Sequence, residues 1–128
     1  MSNNPLPKNQ QQIKLEKLNA LRLRYVAQLP DKLARIKRVW GRYQDVDLSA
    51  SALIASEAEK ALRELSHTVH SLAGSGGTFG YTALSEVAKQ LEEKLSLCDD
   101  SSHCSAADQA VIAALICELA VVVEQDAN

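Results

Sequence analysis

From Ile13 onward apolar side chains recur every three or four residues, at Leu18, Leu21 and Tyr25, then Leu29, Leu33, Ile36, Trp40 and Tyr43. That period matches the helical turn and predicts an amphipathic helix with one buried face. Pro30 falls inside the run, where it either opens a second helix at its first turn, with Asp31 suited to the dipole, or kinks one long helix. The polar stretch from Asp45 to Ser51 predicts a connection. A second helix is expected from about Ala52 toward Gly77, with Leu62, Leu65, Val69 and Leu72 spaced for one face of a bundle. Gly74, Gly76, Gly77 and Gly80 then weaken and end it. Thr82 is the expected cap of a third helix whose stripe is Leu84, Val87, Ala88, Leu91 and Leu95. After a loop from Cys98 to Cys104, Ser105 precedes Asp108 by three residues, an imperfect capping box. It opens a last helix with Val111, Ile112, Leu115, Leu119, Val122 and Val123 as its buried side. No segment alternates with period two. Four helical stretches with short connections predict an all-α fold, an antiparallel up-down four-helix bundle over residues 13–126, preceded by a flexible arm over residues 1–12.

Composition agrees with one small domain. The chain has 128 residues, and few glycines and prolines among many helix-forming residues. Aromatic residues are 4%, too few for a protein that binds single strands by stacking bases. Net charge is −2, yet the ends differ sharply: residues 8–42 carry ten Lys and Arg against Glu16 and Asp31. Such a basic stretch reads as a solvated helix face, with binding of nucleic acid or anionic lipid as the competing reading.

The N-terminus lacks the basic-then-apolar order of an export signal. The longest apolar run, Ala110 to Val123, contains Glu118 and falls short of the ~20 residues that span a bilayer. The chain therefore reads as cytoplasmic. Cys98, Cys104 and Cys117 are an odd number without a Cys-x-x-Cys pair, which favours reduced thiols.

The candidate chemistry lies between His67 and Gly80. With Leu62, Leu65, Val69 and Leu72 in the core, Arg63, His67, His70 and Gly74 form the neighbouring stripe, ~100° around the helix. His70 then stands at the rim of the core, and Gly74 and Gly77 present no side chain that would screen it. Each Gly inside a helix costs ~1 kcal/mol. Three of them beside one His leave room for another body to approach.

This segment resembles the active helix of histidine phosphotransfer (HPt) domains. Their pattern is His, Leu at +2, Lys at +3, Gly at +4 and Gly at +10, and the chain has His70, Leu72, Ala73, Gly74 and Gly80, then Leu84 and Leu91-Glu92. Tyr25, Pro30, Leu33 and Ile36 resemble the family's first long helix. His67 does not fit, because its +4 position is Ser71.

The resemblance implies a phosphorelay carrier rather than an enzyme. His70 would accept a phosphoryl group from a receiver-domain aspartyl phosphate and pass it to another receiver, while Glu92, at +22, would accept a ring N–H and orient the imidazole. An imidazole of ordinary pKa ~6.5 is largely neutral and nucleophilic near neutral pH. The docking face would comprise Gly74, Gly77, His67, Ala73 and Lys89. No cofactor is expected in this chain, the Mg²⁺ belonging to the partner receiver. The implied partners are a response-regulator receiver domain or a hybrid sensor kinase, with no nucleic acid and no membrane. The implied state is a monomeric domain, either complete or part of a larger signalling chain. Ala73 departs from the family's Lys, and Arg63, His67 or Lys89 are the candidate replacements for its charge.

Other motifs carry less. Glu64-Leu65-Ser66-His67 is a Glu-x-x-His unit of the di-iron kind, but its only echo, Asp100-Ser101-Ser102-His103, falls in an expected loop. Cys98, Asp99, Asp100, His103 and Cys104 match no usual zinc spacing. The glycine run fits no nucleotide-binding loop, and there is no nucleophile elbow. A receiver-docking module that is never phosphorylated, and a basic-helix binder of nucleic acid or membrane, remain as alternatives to the carrier.

Overall fold

The computed structural model describes residues 9–45, 52–99 and 104–127. They form four helices: α1 (Gln10–Asp45), α2 (Ala52–Thr78), α3 (Thr82–Asp99) and α4 (Ala106–Ala127). α1 packs on α2 and α4, and α3 on α2 and α4, which closes a four-helix bundle around one core. The helical stripes read from the sequence supply most of that core, including Leu29, Ile36, Leu62, Leu65, Val69, Leu84, Leu91, Leu95, Ile112 and Leu119.

α1 runs unbroken through Pro30, so the split into two helices does not occur. Proline removes one hydrogen-bond donor, but here the residue lies on the exposed side of the helix. The helix begins at Gln10, inside the expected arm, with Asn9 Oδ1 accepting the Gln12 N–H at 2.8 Å as an N-cap. At 36 residues it spans about 54 Å, twice the length of α3. Its buried residues begin only at Tyr25. Leu18 and Leu21, expected in the core, are 37% and 47% exposed, and Ile13, Leu15 and Leu23 are exposed as well.

The α2–α3 turn is tight. Gly80 has φ +86°, the Tyr81 N–H donates to Gly76 O at 2.8 Å and the Gly80 N–H to Gly77 O at 3.2 Å. This pair of bonds is a Schellman closure, which needs the left-handed residue that glycine supplies. The Ser85 N–H then donates to Tyr81 O, so Tyr81 takes the cap position expected of Thr82, which is the first residue of α3.

Ser105 caps α4 as expected, its Oγ accepting the Asp108 N–H at 3.1 Å. Val111 is exposed, and Ile116 takes its place in the core. α4 is apolar on nearly every side, so period alone did not distinguish the two. Ala106–Asp126, with mean hydropathy 2.0, is long and apolar enough by length and composition to cross a membrane, which corrects the shorter run read from the sequence. In the bundle one side of this helix packs on α1 and α3.

Cys98 and Cys104 are joined as a disulfide, with Cα atoms 4.8 Å apart, and Cys117 is free and exposed. This overturns the expectation of three reduced thiols. The last turn of α3 and the start of α4 bring the two side chains together, a proximity that spacing alone does not reveal. The Cys104 N–H also donates to the Tyr43 hydroxyl at 2.8 Å, fastening that corner to α1. Asp100 and His103 lie outside the described residues.

Candidate functional site

α2 and α3 approach closely because Gly76 has no side chain. A Cβ there would stand 3.3 Å from the Ser85 nitrogen and 3.4 Å from Leu84. Ser85, buried between the helices, donates its hydroxyl to Ala73 O at 2.7 Å. The close pairing and the tight turn fix the register of the two helices. His70 lies eight residues before the end of α2, and Glu92 ten residues after the start of α3. With about 1.5 Å of rise per residue, and side chains leaning toward each helix N-terminus, the two converge at one level.

They are in contact: His70 Nδ1 is hydrogen-bonded to Glu92 Oε2. With Nδ1–H donating to the carboxylate, Nε2 carries the free lone pair. The His70 side chain is 72% exposed, against 33% for Glu92. The arrangement is therefore an open nucleophilic nitrogen on a ring whose orientation is set from the neighbouring helix.

The glycines divide by task. Gly74, one turn beyond His70, is exposed, and a Cβ there would meet nothing within 4 Å. Gly77 is exposed too, although its Cβ would touch Ser85 Oγ at 3.4 Å. Gly76 is buried and serves helix packing. Open approach to the ring thus runs over Gly74.

Ala73 does not belong to the exposed face. It is 4% exposed, turned into the α2–α3 interface. Its backbone carbonyl, not its methyl group, is what Ser85 engages, and no charge replaces the missing lysine from that position. Lys89 is exposed on α3, one turn before Glu92. Arg63 is bound to Glu59 at 2.7 Å, back toward the start of α2.

His67 is exposed and turns toward α1, where it shares a recess with Lys32, Arg35, Thr68 and Ser71. Lys32 and Arg35 escaped the sequence reading, since nothing in their spacing relates them to His70. Glu64, considered for iron, accepts instead from Arg35 at 2.9 Å and Arg42 at 2.7 Å, linking α1 to α2. The Arg35 hydrogen bond leads the forces that hold its carboxyl below the usual range, with Arg42 adding to it and partial burial opposing.

Tyr25 closes the lower end of the site. It stacks on Phe79 at 4.8 Å and Tyr81 at 6.0 Å, and its hydroxyl is hydrogen-bonded to Ser75 Oγ at 2.8 Å. Burial pushes the Tyr25 hydroxyl upward from its ordinary pKa, the Ser75 bond working against it. These contacts lock the α2–α3 turn onto α1.

A family model described as the Hpt domain matches residues 20–125. No curated protein and no solved structure matches the chain.

Proposed function

The chain belongs to the Hpt domain family and so has a histidine phosphotransfer role in phosphorelay signalling; from that premise we propose that His70 is its phosphoacceptor. The observation that carries the reading is the exposed His70 ring, fixed at Nδ1 by Glu92 and approachable over Gly74.

In the proposed reaction Nε2 attacks the phosphorus of an aspartyl phosphate on a receiver domain. The N–P bond forms as the acyl O–P bond breaks, and the aspartate leaves as a carboxylate. The same exchange run backward delivers the group to a second receiver. Glu92 stabilises the positive ring that forms and keeps Nε2 aimed outward. This chain supplies the nucleophile and its orientation, while the partner's Mg²⁺ and active site supply most of the catalysis. It is a carrier and not an enzyme.

The test is incubation with a phosphorylated receiver, followed by mapping of the acid-labile phosphate. Label on His70 in the wild-type protein, and none in His70→Gln, is the expected result. Undiminished labelling of His70→Gln overturns the assignment, and binding of the receiver without any label on wild type favours a docking module.

A further inference from the structure

α1 lies against α2 on the side away from Glu92, and beside His70 the two helices leave a recess of about 220 Å³. Lys32, Arg35, His67, Thr68 and Ser71 line it. Two permanent cations and an imidazole thus border it, without a carboxylate. The Thr68 hydroxyl is committed to Glu64 O at 3.0 Å. Arg35 gives one nitrogen to Glu64, which leaves the other N–H donors of its guanidinium. Lys32 Nζ lies 5.8 Å over the Tyr25 ring, and no carboxylate among the described residues pairs with it.

The recess is built for an anion, and its position says which kind. Ser71 follows His70 directly, so the recess opens about 100° around α2 from the imidazole, while Glu92 draws the ring toward α3. The recess thus sits to one side of the imidazole, on the flank away from Glu92. A protein seated over Gly74 spans both flanks.

We propose that this recess takes a carboxylate side chain of the receiver that docks over His70, with Lys32 as its principal cation. The inference rests on the carrier reading above. With Ala73 buried and no lysine next to the histidine, the positive charge on the docking face comes from α1. The docking face then carries Lys32 and Arg35 on its α1 flank and Glu92 on α3, with Lys89 one turn before it. Such a pattern fixes the orientation of the partner as well as attracting it.

The test compares Lys32→Glu, Lys32→Arg and a control reversal, Lys37→Glu, on the exposed side of α1. Phosphotransfer is measured from a receiver that labels the wild-type protein, at low and high salt, and labelling by a small phosphodonor such as acetyl phosphate is measured in parallel. Lys32→Glu should lower receiver-driven transfer about tenfold and flatten its salt dependence. Lys32→Arg and Lys37→Glu should stay near wild type, and small-donor labelling should be equal in all four proteins. Equal effects of the two reversals would overturn the proposal, as would a matching loss of small-donor labelling in Lys32→Glu. The His70→Gln protein tests the carrier reading separately: label there removes that reading whatever Lys32 does.

Discussion

His70 and Glu92, twenty-two residues apart in the chain, meet through Nδ1 and Oε2 because the Gly80 turn sets α2 and α3 in one fixed register. Orientation of the imidazole is thus a property of the helix pair. Glu92→Ala should slow phosphotransfer by about tenfold or more while receiver affinity changes little. Glu92→Gln, whose amide oxygen still accepts, should retain most of the rate. Ring ¹⁵N shifts of His70 read the tautomer directly, and the Nδ1–H form should dominate in wild type and Glu92→Gln only.

The two neighbouring histidines should separate cleanly. His67 turns toward α1 and has no carboxylate behind its ring among the described residues. His67→Gln should therefore accept phosphate from a small donor at the wild-type level, whereas His70→Gln should accept none. Phosphopeptide mapping under alkaline conditions distinguishes the two positions.

Gly74 and Gly76 should respond oppositely to the same substitution. Gly74→Leu meets open space, so thermal stability should hold or rise slightly as helix propensity improves. Transfer from a receiver should nevertheless collapse, since the new side chain stands in the approach to His70. Gly76→Leu forces a side chain against the Ser85 backbone and should cost about 1–3 kcal/mol of stability. Thermal unfolding and transfer assays on both proteins check this.

Acid should loosen the α1–α2 contact through Glu64. Its folded pKa is lowered below 4.5 by Arg35 first and Arg42 next. That contribution is present above the ordinary glutamate range and is lost as pH falls through the lowered folded value. The stability difference between wild type and Glu64→Gln should favour wild type at pH 7 and shrink below pH 4.5. With all three side chains in contact with water, the difference should be small. Urea titrations at a series of pH values measure it.

Helices were legible wherever one face is apolar and the other polar. α2 and α3 follow their stripes almost residue by residue, whereas α4, apolar nearly all round, gave no signal to place Ile116 inside and Val111 outside. Leu18 and Leu21 have core periodicity but no core, because the other helices are too short to cover them. His70 and Glu92 were legible as a spaced pair within a family pattern. Ala73 was misplaced because its position follows from the close α2–α3 packing at Gly76 and Ser85, which a stripe drawn on a single helix does not contain. Lys32 and Arg35 reach the site only through the pairing of α1 with α2, and the cysteine pair only through the corner between α3 and α4.

The stretch of α1 from Gln10 to Arg24 gives no residue to the buried core, and only Arg22 in it is half-buried. An isolated helix of that length is marginal in water, because its ends are costly to nucleate, and no buried apolar side chain adds to its stability. Its amides should consequently exchange with deuterium within seconds, while those around Leu29 and Ile36 open only with the whole bundle. Limited trypsin digestion should cut at Lys14, Lys17, Arg22 or Arg24 and leave a protected fragment beginning near Tyr25. The site at His70, held by contacts that all lie beyond that point, should pass through such trimming with its chemistry intact.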